Sequence, residues 1–238
     1  MDELIQRILD ETDIANTPYF ADLRDGSFER EDFLETQIQF YYAVVFFNRP
    51  MAALTLKIPR TDQRTKILKN VWEEHGEGDT DQVHGQTFMT LLKRLDGIGR
   101  DDVQSRALWP EVRAFNSLLT GVCVIDDYLI GTAMLGRIER IFSDVSGLLG
   151  EGIVARGWLP KDQLIHYDLH ADIDIRHADD FFDVLRPNWK FKDRGDRYFI
   201  EQGLRLGAHM FDTLYRGLHA ARKRRAFRDY TGPHSPWL

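Results

Sequence analysis

The sequence predicts an all-α protein, a single bundle of seven or eight helices over residues 1–238. Three observations point there. Apolar residues recur at three- and four-residue spacing along most of the chain, the period of a helix with one buried face. No segment shows the strict apolar–polar alternation of a half-buried strand. Short clusters of glycine, proline and small polar residues separate the periodic stretches.

Taken in order, a first short helix fits Asp2 to Glu11. The second starts near Glu31 and Asp32 and carries Phe33, Gln37, Phe40, Tyr41, Val44 and Phe47 on one broad face. Arg49-Pro50 is expected to kink or restart it, because proline lacks the amide donor and crowds the preceding turn. Thr61 or Asp62 can cap the third helix, which runs to about His75 with Ile67, Leu68, Val71 and Trp72 as its apolar side. Gly76-Glu77-Gly78-Asp79-Thr80 is a break, and Thr80 can cap a fourth helix bearing Val83, Phe88, Leu91 and Leu92. Further helices fit Pro110 to Ile125, Tyr128 to Leu148, Lys161 to Leu185 and Asp193 to Arg225. Gly152, Gly157 and Pro160 punctuate the connection before the penultimate one.

Charge and composition exclude several function classes. With 31 lysines and arginines against 38 acids the net charge is −7, and nucleic-acid binding needs a basic face. The one basic run, Arg222-Lys223-Arg224-Arg225, reads as a solvated helix end whose cations suit the macrodipole. The longest apolar stretch, Tyr41 to Phe47, is too short to span a bilayer. The N-terminus lacks the basic start and apolar core of a signal peptide, so a cytoplasmic protein is expected. Cys123 is the only cysteine; it sits in the apolar run Leu118 to Ile125 and reads as a buried structural thiol.

Three features carry chemistry. In His170-Ala-Asp-Ile-Asp174-Ile-Arg-His177, the residues at i, i+4 and i+7 lie within a narrow arc of a helix, at rotations of about 40° and about −20° from the first. Two imidazoles and a carboxylate on one stripe suit a divalent first-row metal with open positions. The second is Trp72-Glu73-Glu74-His75-Gly76-Glu77 followed by His84: acids are disfavoured at a helix C-terminus, and a bound cation would offset that. The third is Glu139 in Met134-Leu135-Gly136-Arg137-Ile138-Glu139-Arg140, where the flanking arginines also allow an ordinary surface ion pair. Together these give six candidate ligands, three per metal, and carboxylate-and-histidine sites of this kind are built inside helix bundles.

In chain order, Glu74, His84, Glu139, His170, Asp174 and His177 resemble the pattern of the haem-oxygenase-like di-iron oxidases, a group that includes pyrroloquinoline-quinone-synthase-like proteins and the chlamydial protein associating with death domains. Glu74 is chosen by spacing, with Glu73 and Glu77 as alternatives. The resemblance implies a haem-oxygenase-like fold over the whole chain, two Fe(2+) ions held by those six residues, O2 as co-substrate, and a homodimer. It implies oxidation of a small molecule, by desaturation, N-oxygenation or carbon–carbon cleavage, with an amino acid or amino-acid-derived substrate expected. Arg140 to Pro160 contains no lysine, unlike the self-consuming chlamydial relative, and Tyr41 to Ile58 holds no acid for a seventh ligand. Gln37 and Tyr41 share a face and can line the substrate pocket, or be core residues with satisfied polar ends. Two other readings compete: a non-catalytic metal- or ligand-binding bundle, and a metal-free thiaminase-like hydrolase of the same fold. For the latter Cys123 is the sole candidate nucleophile, and its apolar neighbours predict an inert thiol. No nucleic-acid or membrane partner is expected.

Overall fold

The computed structural model describes residues 1–190 and 194–228. Among the described residues are ten α-helices: α1 (Asp2–Thr12), α2 (Pro18–Asp25), α3 (Arg30–Thr55), α4 (Thr61–Glu74), α5 (His84–Asp96), α6 (Arg100–Ser105), α7 (Pro110–Ile125), α8 (Tyr128–Ala155), α9 (His166–Lys190) and α10 (Arg194–Ala221). They contain no strand, only an isolated bridge between Arg106 and Phe227. The fold class is therefore as expected, with two helices more than the sequence suggests. The additional pair, α2 and α6, are of eight and six residues, too short for an apolar period to declare itself.

α8 is the central helix, packed along its length against α9 and α10. α3 lies across α7, α5 and α4, and α4 also touches α9. A helix buried on most sides needs small residues where its neighbours cross. At Gly207 of α10 an added Cβ would stand 2.6 Å from the Met134 carbonyl oxygen of α8, so the approach of the two helices depends on that missing atom.

Several boundaries differ from the sequence expectations. Pro50 does not restart its helix, since α3 runs through it to Thr55. Pro187 is likewise absorbed in α9, which reaches Lys190. Tertiary packing outweighs the lost amide bond at both positions. α8 extends to Ala155 past Gly150 and Gly152. α9 begins only at His166, because a turn at Lys161–Gln163 and a positive φ at Ile165 precede it. The expected start of the last helix at Asp193 lies outside the described residues.

Neither Thr61 nor Asp62 caps α4, whose N-cap is Arg60 without a side-chain bond. Thr80 stays in the preceding turn and Val83 is the N-cap of α5. Leu68 and Trp72 are exposed, and the Trp72 indole instead covers Gly78. The basic run follows the end of α10 and is not simply solvated: Arg224 makes a two-pronged pair with Glu111, and Arg225 binds Asp32. Cys123 is fully buried, and burial pushes its thiol pKa up to about 12.

Candidate metal centre

Four helices bring buried acids and imidazoles to one place. α9 supplies His170, Asp174 and His177, all buried on the stripe that the spacing predicts. α8 supplies Glu139 from its middle, buried and without an arginine partner: Arg140 turns to Asp144, and Arg137 donates to Thr12 Oγ1. α4 ends at Glu74 and α5 opens at His84, joined by a turn that Gly76 makes possible. Gly76 has φ +67°, and a Cβ there would lie 2.8 Å from the Gln82 backbone. The turn sets Glu74 Oε1 and His84 Nδ1 2.9 Å apart, close enough for an ion pair but poorly aligned for a hydrogen bond. Each group opposes its own helix dipole, an acid at a C-terminus and an imidazole at an N-terminus. Their proximity offsets that cost.

The hydrogen bonds fix which atoms are left over. A carboxylate only accepts, so His177 Nε2–H donates to Glu73 Oε2 at 2.9 Å and His170 Nδ1–H donates to Asp174 Oδ1 at 2.8 Å. The remaining nitrogens, His177 Nδ1 and His170 Nε2, have no partner. Asp174 Oδ2 and Glu139 Oε1 are also buried and unpartnered. Around His177 Nδ1 stand Glu74 Oε1 at 3.8 Å, Glu139 Oε1 at 3.8 Å and Asp174 Oδ1 at 3.9 Å. One ligand atom each from Glu74, Glu139 and His177 falls within 4.8 Å of the others.

Three buried carboxyl groups around one unpartnered imidazole nitrogen are costly by themselves. Burial raises the Glu139 pKa well above the ordinary range, and the neighbouring Asp174 and Glu74 charges push it further. Burial would raise Glu74 too, but His84, His170 and His177 outweigh it and bring it down to about 2. For His84 the lowering effect of burial is overcome by Glu74, so its pKa is raised. A divalent cation would satisfy the orphaned atoms together, and an imidazole-and-carboxylate donor set suits iron. The residues present fit such a group.

Of the three acids the sequence leaves open, Glu74 is the one turned into the cluster. Glu77 is exposed. Glu73 lies behind His177, held also by Arg176 at 2.9 and 3.0 Å. Gln37 and Tyr41 do not line the cavity beside the cluster. The Gln37 amide donates to the Tyr19 hydroxyl and accepts from Tyr167, a core residue with both polar ends satisfied, and Tyr41 packs on Phe88 and Tyr42.

Sequence reasoning weighs one neighbour of the cluster, Glu73, only as a ligand in place of Glu74, and passes over another. This is His166, fully buried, with its ring 4.2 Å from that of His170. Thr87 Oγ1 lies 2.9 Å from both the His84 carbonyl and His166 Nδ1. With one proton the hydroxyl donates to the carbonyl and accepts from Nδ1–H, which leaves His166 Nε2 bare and unpartnered. Burial, with the nearby His170 and His84, holds its pKa well below the usual value, so the ring is neutral. The signal is in the sequence: His166, His170 and Asp174 follow one another at four-residue steps.

Against Glu74, Glu139 and His170 lies a narrow cavity of about 40 Å3, compared with the roughly 10–15 Å3 that one water requires. Its wall includes Phe40, Phe47, Phe115, Phe142 and Phe211. Phe142 sits 5.3 Å from the His170 ring.

Comparison with known proteins bears on the fold and on the family. Among solved structures, a domain of unknown function with a haem-oxygenase-like fold from Shewanella denitrificans superposes with a TM-score of 0.76 at 15% identity, covering 92% of this chain and 91% of that one. A TenA homologue from Pseudomonas syringae gives 0.73 at 15% identity over 92% and 90%. A CADD-like protein of unknown function from Nostoc punctiforme gives 0.72 at 14% identity over 93% and 96%. At these identities the likeness concerns the fold. No curated protein matches the sequence. The sequence profile of a family described as iron-containing redox enzymes matches residues 34–208, a span that takes in all six clustered residues, and the chain belongs to that family, on a haem-oxygenase-like all-α fold.

Proposed function

We propose that this protein is a non-haem di-iron, O2-dependent oxidase or oxygenase acting on a small organic molecule. The observation that supports it most directly is the set of orphaned ligand atoms: His177 Nδ1, His170 Nε2, Glu139 Oε1 and Asp174 Oδ2 are buried, unpartnered and gathered beside Glu74 and His84. In this reading Glu74, His84, Glu139, His170, Asp174 and His177 hold two Fe(2+) ions. Bound ferrous iron supplies the electrons that reduce dioxygen and the oxidising power turned on the substrate.

The chain's own residues have three tasks. Glu73 holds the His177 ring with Nδ1 inward, as outer carboxylates do for metal-bound histidines. Without a cation, the raised Glu139 carboxyl keeps its proton, which limits repulsion with Glu74 and Asp174. The phenylalanines beside Glu74, Glu139 and His170 exclude water from the place where substrate and dioxygen meet.

The hydrolase alternative finds no support in Cys123, which is buried on α7, apart from the cavity, and protonated at any ordinary pH. The test is anaerobic ferrous loading followed by oxygen-electrode measurement. The wild type should bind close to two ferrous ions and consume oxygen, and Asp174→Ala should lose both while keeping its helical circular dichroism. Iron binding without any oxygen uptake would favour a non-catalytic metal-binding bundle.

A further inference from the structure

The stripe of α9 that carries His170, Asp174 and His177 holds a third imidazole. His166 opens the helix, and its position is rotated by only about 20° from His177 and about 40° from His170. Its ring is fixed from α5. Thr87 Oγ1 donates to the His84 carbonyl at 2.9 Å and accepts from His166 Nδ1–H at 2.9 Å, so one hydroxyl ties His166 to the backbone of another cluster residue. The second nitrogen, Nε2, is buried without a partner, among the rings of His170 at 4.2 Å and Phe88 at 4.7 Å. A buried acceptor that finds no donor is destabilising. A phenylalanine in this aromatic setting would avoid the penalty.

His170 is held in the same manner, with Nδ1–H on Asp174 Oδ1 at 2.8 Å and Nε2 unpartnered. A histidine that binds a metal through one nitrogen gives its other N–H to an outer acceptor. Two histidines at i and i+4 on one helix face are, moreover, a recurrent chelating pair. The spacing of the rings agrees. With each nitrogen about 2.1 Å from the metal, two imidazoles bound at right angles have ring centres about 4.5 Å apart. The centre of the His170 ring lies 4.2 Å from that of His166 and 4.5 Å from that of His84. None of these three rings belongs to the tight group formed by Glu74, Glu139 and His177.

We propose that His166 is a seventh protein ligand, joining His84 and His170 around one ion while Glu74, Glu139 and His177 hold the other. The two metal positions are then chemically unequal, one rich in imidazole and one rich in carboxylate. The inference rests on the di-iron reading of this centre and adds a ligand to it.

The full-length protein would be loaded anaerobically with isotopically enriched ferrous iron and followed by titration and Mössbauer spectroscopy, neither of which needs turnover. The wild type should show two distinct ferrous environments. In His166→Ala one ion should bind at least about a hundredfold more weakly, beyond the 10–100-fold effect of losing an outer partner. The spectrum of the other ion should be unchanged, and free imidazole should restore the weakened one. Thr87→Val, which releases the ring without removing it, should weaken the same ion by about 10–100-fold. It also serves as the test should His166→Ala fail to fold. Two ions bound in either folded variant with wild-type affinity and spectra would overturn the proposal and leave the oxidase reading standing. Equal weakening of both ions, unrelieved by imidazole, would make His166 a packing residue. A wild type that binds no ferrous iron would overturn the ligand assignment and the oxidase reading together.

Discussion

Glu73 Oε2 accepts a hydrogen bond from His177 Nε2–H at 2.9 Å, and that bond turns the other ring nitrogen towards Glu74, Glu139 and Asp174. Two adjacent acids at the end of α4 thus have different work: Glu74 faces the cluster and Glu73 orients a member of it. Glu73→Gln should lower ferrous affinity by about 10–100-fold, the usual effect of removing an outer carboxylate from a metal-bound histidine, with little change in helical content. A loss as complete as that of Glu74→Ala, measured by anaerobic ferrous titration, would instead put Glu73 in the inner set.

Metal loading should raise thermal stability, because a ligand bound only by the folded state adds about 2.7 kcal/mol at a hundred times its dissociation constant. Asp174→Asn sharpens the test. In the metal-free protein it removes one of three crowded buried carboxylates, so its melting temperature should equal or exceed that of the wild type. The increment on adding ferrous iron should shrink. A metal-free Asp174→Asn protein that melts well below the wild type would mean that Asp174 is there to support the fold.

The raised Glu139 carboxyl gives a pH dependence of definite sign. Its folded pKa exceeds its unfolded one, so the stability it contributes is complete below the ordinary carboxylate range and is lost as pH rises through the raised value. Glu74, brought down to about 2, acts oppositely: its contribution is complete above the ordinary range and is lost as pH falls towards 2. Metal-free Glu139→Gln should therefore gain on the wild type as pH rises above the ordinary carboxylate range, and the gap should close at lower pH. Parallel melting curves for the two proteins across that range would contradict the assignment.

Cys123 is expected to be chemically silent. Its thiol is buried with a pKa pushed up to about 12, so thiolate is scarce near neutrality. Aromatic disulfide reagents should label it only after denaturant is added, and Cys123→Ala should retain ferrous binding and oxygen uptake. Rapid labelling of the native protein, or loss of activity in that variant, would reopen the thiol-dependent hydrolase reading.

The sequence by itself determined the helical class and the shared face of His170, Asp174 and His177, because both follow from a period of 3.6 residues along one chain segment. It also supplied, in order, the three upstream residues that the fold gathers. It could not decide between Glu73 and Glu74. Neighbours on a helix differ by about 100°, and which one points inward depends on how α4 is rotated against α9. Pro50 reads as a kink or a restart for a related reason: the local cost of a proline is visible in the sequence, while the packing that outweighs it is not. Gln37 was settled as a core residue by Tyr19 and Tyr167, distant in the chain. The phenylalanine cavity draws its wall from α3, α7, α8 and α10, and its chemistry comes into being only when those helices meet. Spacing fixes angles about one helix axis, and tertiary packing fixes where that axis lies and how the helix is turned upon it.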